Sequence, residues 1–150
     1  MALHFEKHAA KGNEFINRLA ERLGDPDNRD RAGRVLRSVL HALRNRLTLE
    51  ESFQLISQLP IMIKALYIEG WQPSRQHPKI KTMKEFCEEV MRDDGLSAWR
   101  DFSGEDDAIQ ATEAVIKTMA DYVTAGELHD IIAVLPIDMK EHFMVWSHTP

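Results

Sequence analysis

The twenty-one residues from Leu47, LTLEESFQLISQLPIMIKALY, return seventy-six positions later as VTAGELHDIIAVLPIDMKEHF. The paired identities are structural punctuation as much as core: Thr48/Thr124, Glu51/Glu127, Ile56/Ile132, Leu59/Leu135, Pro60/Pro136, Ile61/Ile137 and Lys64/Lys140. A threonine followed three residues later by glutamate opens a helix, because the hydroxyl accepts from the glutamate's amide and the carboxylate reaches back. A proline is tolerated in a first turn but breaks a helix interior, so Leu-Pro in both copies marks one helix ending and another beginning. Upstream, Glu14-Phe15 is echoed by Glu85-Phe86, and Trp71 corresponds to Trp146 once one residue is lost. These matches predict an internal duplication of a four-helix unit. The expected fold is all-α: an eight-helix bundle in one domain over 1–150, pseudo-two-fold symmetric, with the apolar faces of the two units packed together.

Hydrophobic spacing places the helices. Phe15, Ile16, Leu19, Ala20 and Leu23 share one helical face, predicting a helix over 13–23 that Gly24-Asp25-Pro26 stops. Ala32, Val35, Leu36, Val39, Leu40, Ala42 and Leu43 predict a long helix over 28–46. A capped short helix to Gln58 and a helix from Pro60 to Gly70 complete repeat 1, about 13–71. The stretch 72–81, with Pro73 and Pro78, reads as a linker. Repeat 2, about 82–146, opens with the Thr82/Glu85 capping pattern and a helix to Asp94, followed by a loop through Ser103-Gly104. A long helix over 105–122, a short one from Thr124 and a last one from Pro136 to Trp146 follow. No period-two strand pattern occurs.

The segment Leu43-Arg44-x-Arg46-Leu47-Thr48, with Glu50-Glu51, Gln58-Leu59-Pro60, Tyr67 and Gly70-Trp71, resembles the bacterial domain-of-unknown-function family numbered 2267. The likeness runs from about Glu14 to Phe143. The second half matches more weakly, having Ala120, Tyr122 and Val134 where the first has Arg44, Arg46 and Gln58. The resemblance implies a small helical bacterial protein; it implies no reaction and carries over no catalytic residues.

Composition narrows the class. Hydrophobic residues make up 43% and charged residues 29% of the chain, a globular balance. One cysteine excludes an internal disulfide framework. No apolar run suits a signal peptide or a membrane span, so a cytoplasmic protein with no membrane partner is expected. Charge is uneven: residues 1–75 carry 12 Lys+Arg against 9 Asp+Glu, and residues 76–150 carry 7 against 15.

Used as an internal control, the duplication assigns bland roles to most reactive residues. Cys87 pairs with Ile16 and sits on the stripe Met83, Phe86, Cys87, Val90, so it reads as a small core residue. His129 pairs with Phe53 and His142 with Leu66, and no metal-ligand spacing emerges among the histidines. The acidic residues gather at helix starts, where they complement the dipole. No catalytic motif is present, and no cofactor is expected. On the fourth helix, Ile61, Ile63, Tyr67 and Ile68 have apolar twins and read as core.

Two asymmetries remain. Arg34, Arg37, His41 and Arg44 form a basic stripe on the second helix, near Arg31, where the second copy has Gln110, Glu113, Lys117 and Ala120. Local pairs Asp27/Arg31 and Asp30/Arg34 would tie it down as a solvated face. Met62, Ala65 and Leu66 are apolar where the second copy has Asp138, Glu141 and His142, leaving an extra apolar face to be covered by the Leu3/Phe5 tail, by the Trp71 segment or by a partner. The favoured reading is a non-enzymatic protein-interaction or regulatory module, using the arginine stripe and the Met62/Ala65/Leu66 face for a protein partner or self-association. Nucleic acid is disfavoured by the acidic chain and the absence of aromatics along the stripe. The alternative is a small-ligand or anion-binding module with a site between the repeats at Arg44, Arg46, Tyr67 and Trp71.

Overall fold

The computed structural model describes residues 3–77 and 79–148; Pro78, one of the two linker prolines, lies outside the described residues. The described chain is all-α. Its helices are α1 (Phe5–Arg22), α2 (Arg29–Arg44), α3 (Leu49–Gln58), α4 (Ile61–Ile68), α5 (Met83–Asp94), the four-residue α6 (Ala98–Asp101), α7 (Glu105–Met119), α8 (Ala125–Ala133) and α9 (Ile137–His148). None of them is long and apolar enough to cross a membrane.

The ends of these helices follow the punctuation. Thr48, Thr82 and Thr124 each accept a hydrogen bond from the amide three residues on, at 3.2, 3.1 and 3.3 Å. The return arm of the capping box differs from expectation. The Glu51 and Glu85 carboxylates accept from the Thr48 and Thr82 hydroxyls at 2.9 and 3.0 Å. Pro60 sits at the N-cap of α4, its carbonyl accepting from Ile63 and Lys64. Gly24, at φ +79°, lets the chain leave α1: its amide donates to the Glu21 carbonyl and that of Asp25 to the Ala20 carbonyl, a Schellman closure.

α2 and α7 lie in contact, and α1 and α5 each pack against both. Phe15 and Leu19 from α1, Leu36 and Leu40 from α2, Phe86 and Val90 from α5, and Val115 and Met119 from α7 are fully buried in one continuous core. Around it, α4 packs on α1 and α2, α9 packs on α7 and α8, and α3 meets α8.

Three expectations are corrected. First, α1 begins eight residues before Asn13, because Glu6, Lys7, Ala9, Ala10 and Lys11 are strong helix formers even though little of this stretch is buried. Second, Ile61 and Ile68 are 47% and 49% exposed instead of core. At about 100° per residue they lie together on the side of α4 facing away from buried Ile63 and Tyr67. An apolar twin at Ile137 did not make Ile61 a core position, since Ile137 is exposed too. Third, the stretch after Asp94 is a 3₁₀ turn (Gly95–Ser97) leading into α6, not open loop. Its last residues, Asp101 and Phe102, are buried.

Candidate functional site

The basic stripe divides into two structures with different chemistry. At the N-terminal end of α2, Arg34 grips the Asp101 carboxylate with two hydrogen bonds, both 2.8 Å. Arg31 donates twice to the Asp101 carbonyl, at 3.0 and 2.8 Å, and lies 3.6 Å from Asp107. Among the described residues, the expected pairs with Asp27 and Asp30 do not form. The preferred partner is a carboxylate with no exposed surface, because a buried charge must be compensated whereas an exposed one need not be. Arg34, 31% exposed in its side chain, is held in place by this pair. Asp94 joins the cluster: burial and its hydrogen bond to Asp101 push its carboxyl up to about 7. Burial alone would raise Asp101 as well, but hydrogen bonds from Arg34 and Asp94 outweigh it and hold that carboxyl below its ordinary range.

At the other end, Arg37, His41 and Arg44 face a cleft of about 500 Å³. α2 forms one wall; the end of α4 with Gly70 and Trp71 forms a second. Gln72, Arg75 and His77 close it from the linker, and Glu89, Arg92 and Asp93 on α5 complete it. The cleft thus lies between the two halves of the chain, where the alternative reading expected a site, but with a different set of residues.

Arg44 is its pivot. One amino group donates to the Tyr67 and Glu69 carbonyls, at 2.6 and 2.7 Å, neutralising the C-terminal end of α4. Its Nε is shielded from solvent and has no hydrogen-bond partner. Burial lowers the guanidinium below its ordinary value. Among the described residues no carboxylate comes within ion-pair distance of Arg44. Of the three carboxylates of the cleft, Glu69 pairs with Arg37 at 3.2 Å, Glu89 takes Asn45 at 3.1 Å and Arg46 at 3.7 Å through one oxygen while its other is buried without a hydrogen-bond partner, and Asp93 lies 3.6 Å from His41 Nδ1. Arg75 and Arg92 are exposed at the rim and make no ion pair among the described residues.

Each expected site residue now has a place. His41 is buried instead of solvated, its Nε2 donating to the Leu66 carbonyl at 2.8 Å. Tyr67 does not line the cleft. It is fully buried, its hydroxyl bonded to Ser52 at 2.7 Å, and burial pushes that hydroxyl up to about 12. It reaches the site through its carbonyl and by backing Trp71 edge-on at 5.8 Å. Arg46, only 6% exposed in its side chain, holds Glu89 and does not line the cleft. Trp71 is in the wall, between the cleft and a smaller hollow of about 130 Å³. The residues missed from sequence are Arg75 and His77, in a linker read only as a connection, and Arg92 on α5. The one available signal was the basic character of QPSRQH beside Trp71.

Met62, Ala65 and Leu66 border a second, apolar groove of about 520 Å³ against Ala9, Gly12 and Ile16. The unexpected first turns of α1 cover part of this face, while Leu3 and Phe5 stay exposed. Contact is close: a Cβ on Gly12 would stand 2.8 Å from the Met62 Cβ. Leu66 is half-buried, Ala65 is exposed and Met62 is 47% exposed. Cys87 is fully buried, and burial pushes its thiol up to about 12, which removes it as a nucleophile. Among the described residues no three His, Cys, Asp or Glu side chains come together as a metal site.

No curated protein matches the chain. A family described as "Uncharacterized conserved protein (DUF2267)" matches residues 12–142, which span both halves and the cleft. The chain belongs to the DUF2267 family.

Proposed function

We propose that this chain is a cytoplasmic, non-enzymatic binding module for a small, multiply charged oxyanion, held in the cleft between two duplicated four-helix units. One observation carries the reading: Arg44, Arg75 and Arg92 line one cleft and make no ion pair among the described residues, and the Arg44 Nε is buried without a hydrogen-bond partner. A shielded guanidinium with an unused Nε is costly without a counter-charge. Planar guanidinium groups converging on one space suit a phosphate- or sulfate-like group. The volume, about 500 Å³, falls in the range of small-molecule sites. The duplication is supported by threonine caps at Thr48 and Thr124 and by helices opening after Pro60 and Pro136.

Titration calorimetry and thermal melts with sulfate, phosphate and pyrophosphate test this reading. At a hundredfold excess over Kd, a ligand adds about 2.7 kcal/mol, a rise in Tm of roughly 5–10 °C for a chain of this size. Replacing Arg75 and Arg92 together by alanine should abolish the shift and leave the fold intact, because both side chains are exposed. No shift with any of the anions overturns the reading.

A second reading, a protein-interaction or regulatory module, is favoured by half-exposed Ile61, Met62 and Ile68 on α4 beside the apolar groove. Met62→Asp should weaken association measured by sedimentation equilibrium. A wild-type monomer at every concentration sinks its self-association form.

A further inference from the structure

His77 stands in the cleft wall among cations. Arg75 neighbours it in the linker, Arg37 and Arg44 of α2 and Glu69 line the same cleft, Glu89, Arg92 and Asp93 line it from α5, and Arg46 acts on the ring from behind the wall. Resting on the oxyanion reading above, we infer that anion binding in this cleft is coupled to proton uptake by His77, which lines it beside Arg44 and Arg75, so that binding tightens as pH falls and weakens as it rises.

The argument is electrostatic. Burial lowers the His77 imidazole below its ordinary value; Glu89 pulls the other way, and Arg75, Arg46 and Arg44 add to the lowering. These surroundings favour the neutral ring. An anion seated beside Arg44 and Arg75 offsets their field at His77 and supplies an acceptor for a ring N–H. The imidazolium is then favoured, and the bound value rises above the free one. Between those two values each binding event takes up a proton, and affinity falls as pH rises, by at most about tenfold per pH unit for one proton. The other histidine of the cleft, His41, is already engaged by the Leu66 carbonyl and Asp93, so its ring is not free to turn toward a ligand.

Sulfate is the appropriate probe because it keeps its charge throughout the neutral range. Its affinity is measured by calorimetry between about pH 5 and 8, in buffers of different ionisation heat, on the wild type and on His77→Gln. The expected result is tighter binding and measurable proton uptake at the acid end, with both the pH dependence and the proton uptake lost in His77→Gln. Wild-type binding that is flat with pH overturns the coupling and leaves the oxyanion reading standing. A pH dependence that survives in His77→Gln overturns it in favour of another group. Absence of sulfate binding at every pH overturns both.

Discussion

A carboxylate with no exposed surface has to be neutralised by something fixed, and at Asp101 that role falls to Arg34, with Arg31 on the adjacent carbonyl and Asp94 hydrogen-bonded beside it. Removing the guanidinium strands the charge. Arg34→Ala should cost about 2–3 kcal/mol in urea unfolding, less than the roughly 3–5 of a fully buried pair because Arg34 keeps part of its hydration. Asp94 makes the cluster pH-sensitive in a definite direction. Its folded value, about 7, lies above its ordinary 3.8, so protonation favours the folded state. That contribution is fully present below pH 3.8 and is lost as pH rises to about 7. Asp101 works oppositely: held low, it contributes above its ordinary value, and that contribution is lost on acidification. Asp94→Asn isolates the first effect. The wild type should lose stability relative to this variant as pH is raised through that window, and a constant difference would refute the assignment.

Among the elements, the threonine-capped helices are defined by local chemistry. Thr48→Ala and Thr124→Ala should each cost about 1 kcal/mol in denaturant unfolding, the ordinary worth of an N-cap. α1 is different, because its first two turns are determined by propensity and by what they cover. Gly12 lets α1 lie against α4 where Met62 begins. A larger residue there meets a Cβ, not a flexible side-chain tip. Gly12→Leu should therefore destabilise the fold by roughly 1–3 kcal/mol, as overpacking does. Met62→Gly, which removes that Cβ, should restore part of that loss, a coupling visible in a double-mutant cycle. The apolar excess on α4 was legible from its counterpart positions at Asp138, Glu141 and His142. That α1 would reach far enough to cover part of it was not, because a solvated stretch of good helix formers leaves no apolar stripe to read.

In the whole molecule, the halves are not separable bodies. α1 and α5 each pack on both α2 and α7, so either half alone would expose the core faces the other covers. A fragment ending at His77 should show no cooperative unfolding by circular dichroism, and mixing it with the complementary fragment should restore helix. The excess of basic residues in 1–75 and acidic residues in 76–150 is spent partly inside this joint: Arg31 and Arg34 meet Asp107 and Asp101, and Arg46 meets Glu89. Helix positions, most of their ends, the buried stripes and the bland role of Cys87 were determined by the sequence alone, because caps, prolines and 3.6-residue periodicity act over a few residues. Only the tertiary structure decided which arginines are partnered, that Asp101 is buried, and that Arg75, His77 and Arg92 share a cleft with Arg44 and Trp71. Those contacts join residues tens of positions apart, and whether a charge is compensated depends on what the folded chain brings beside it.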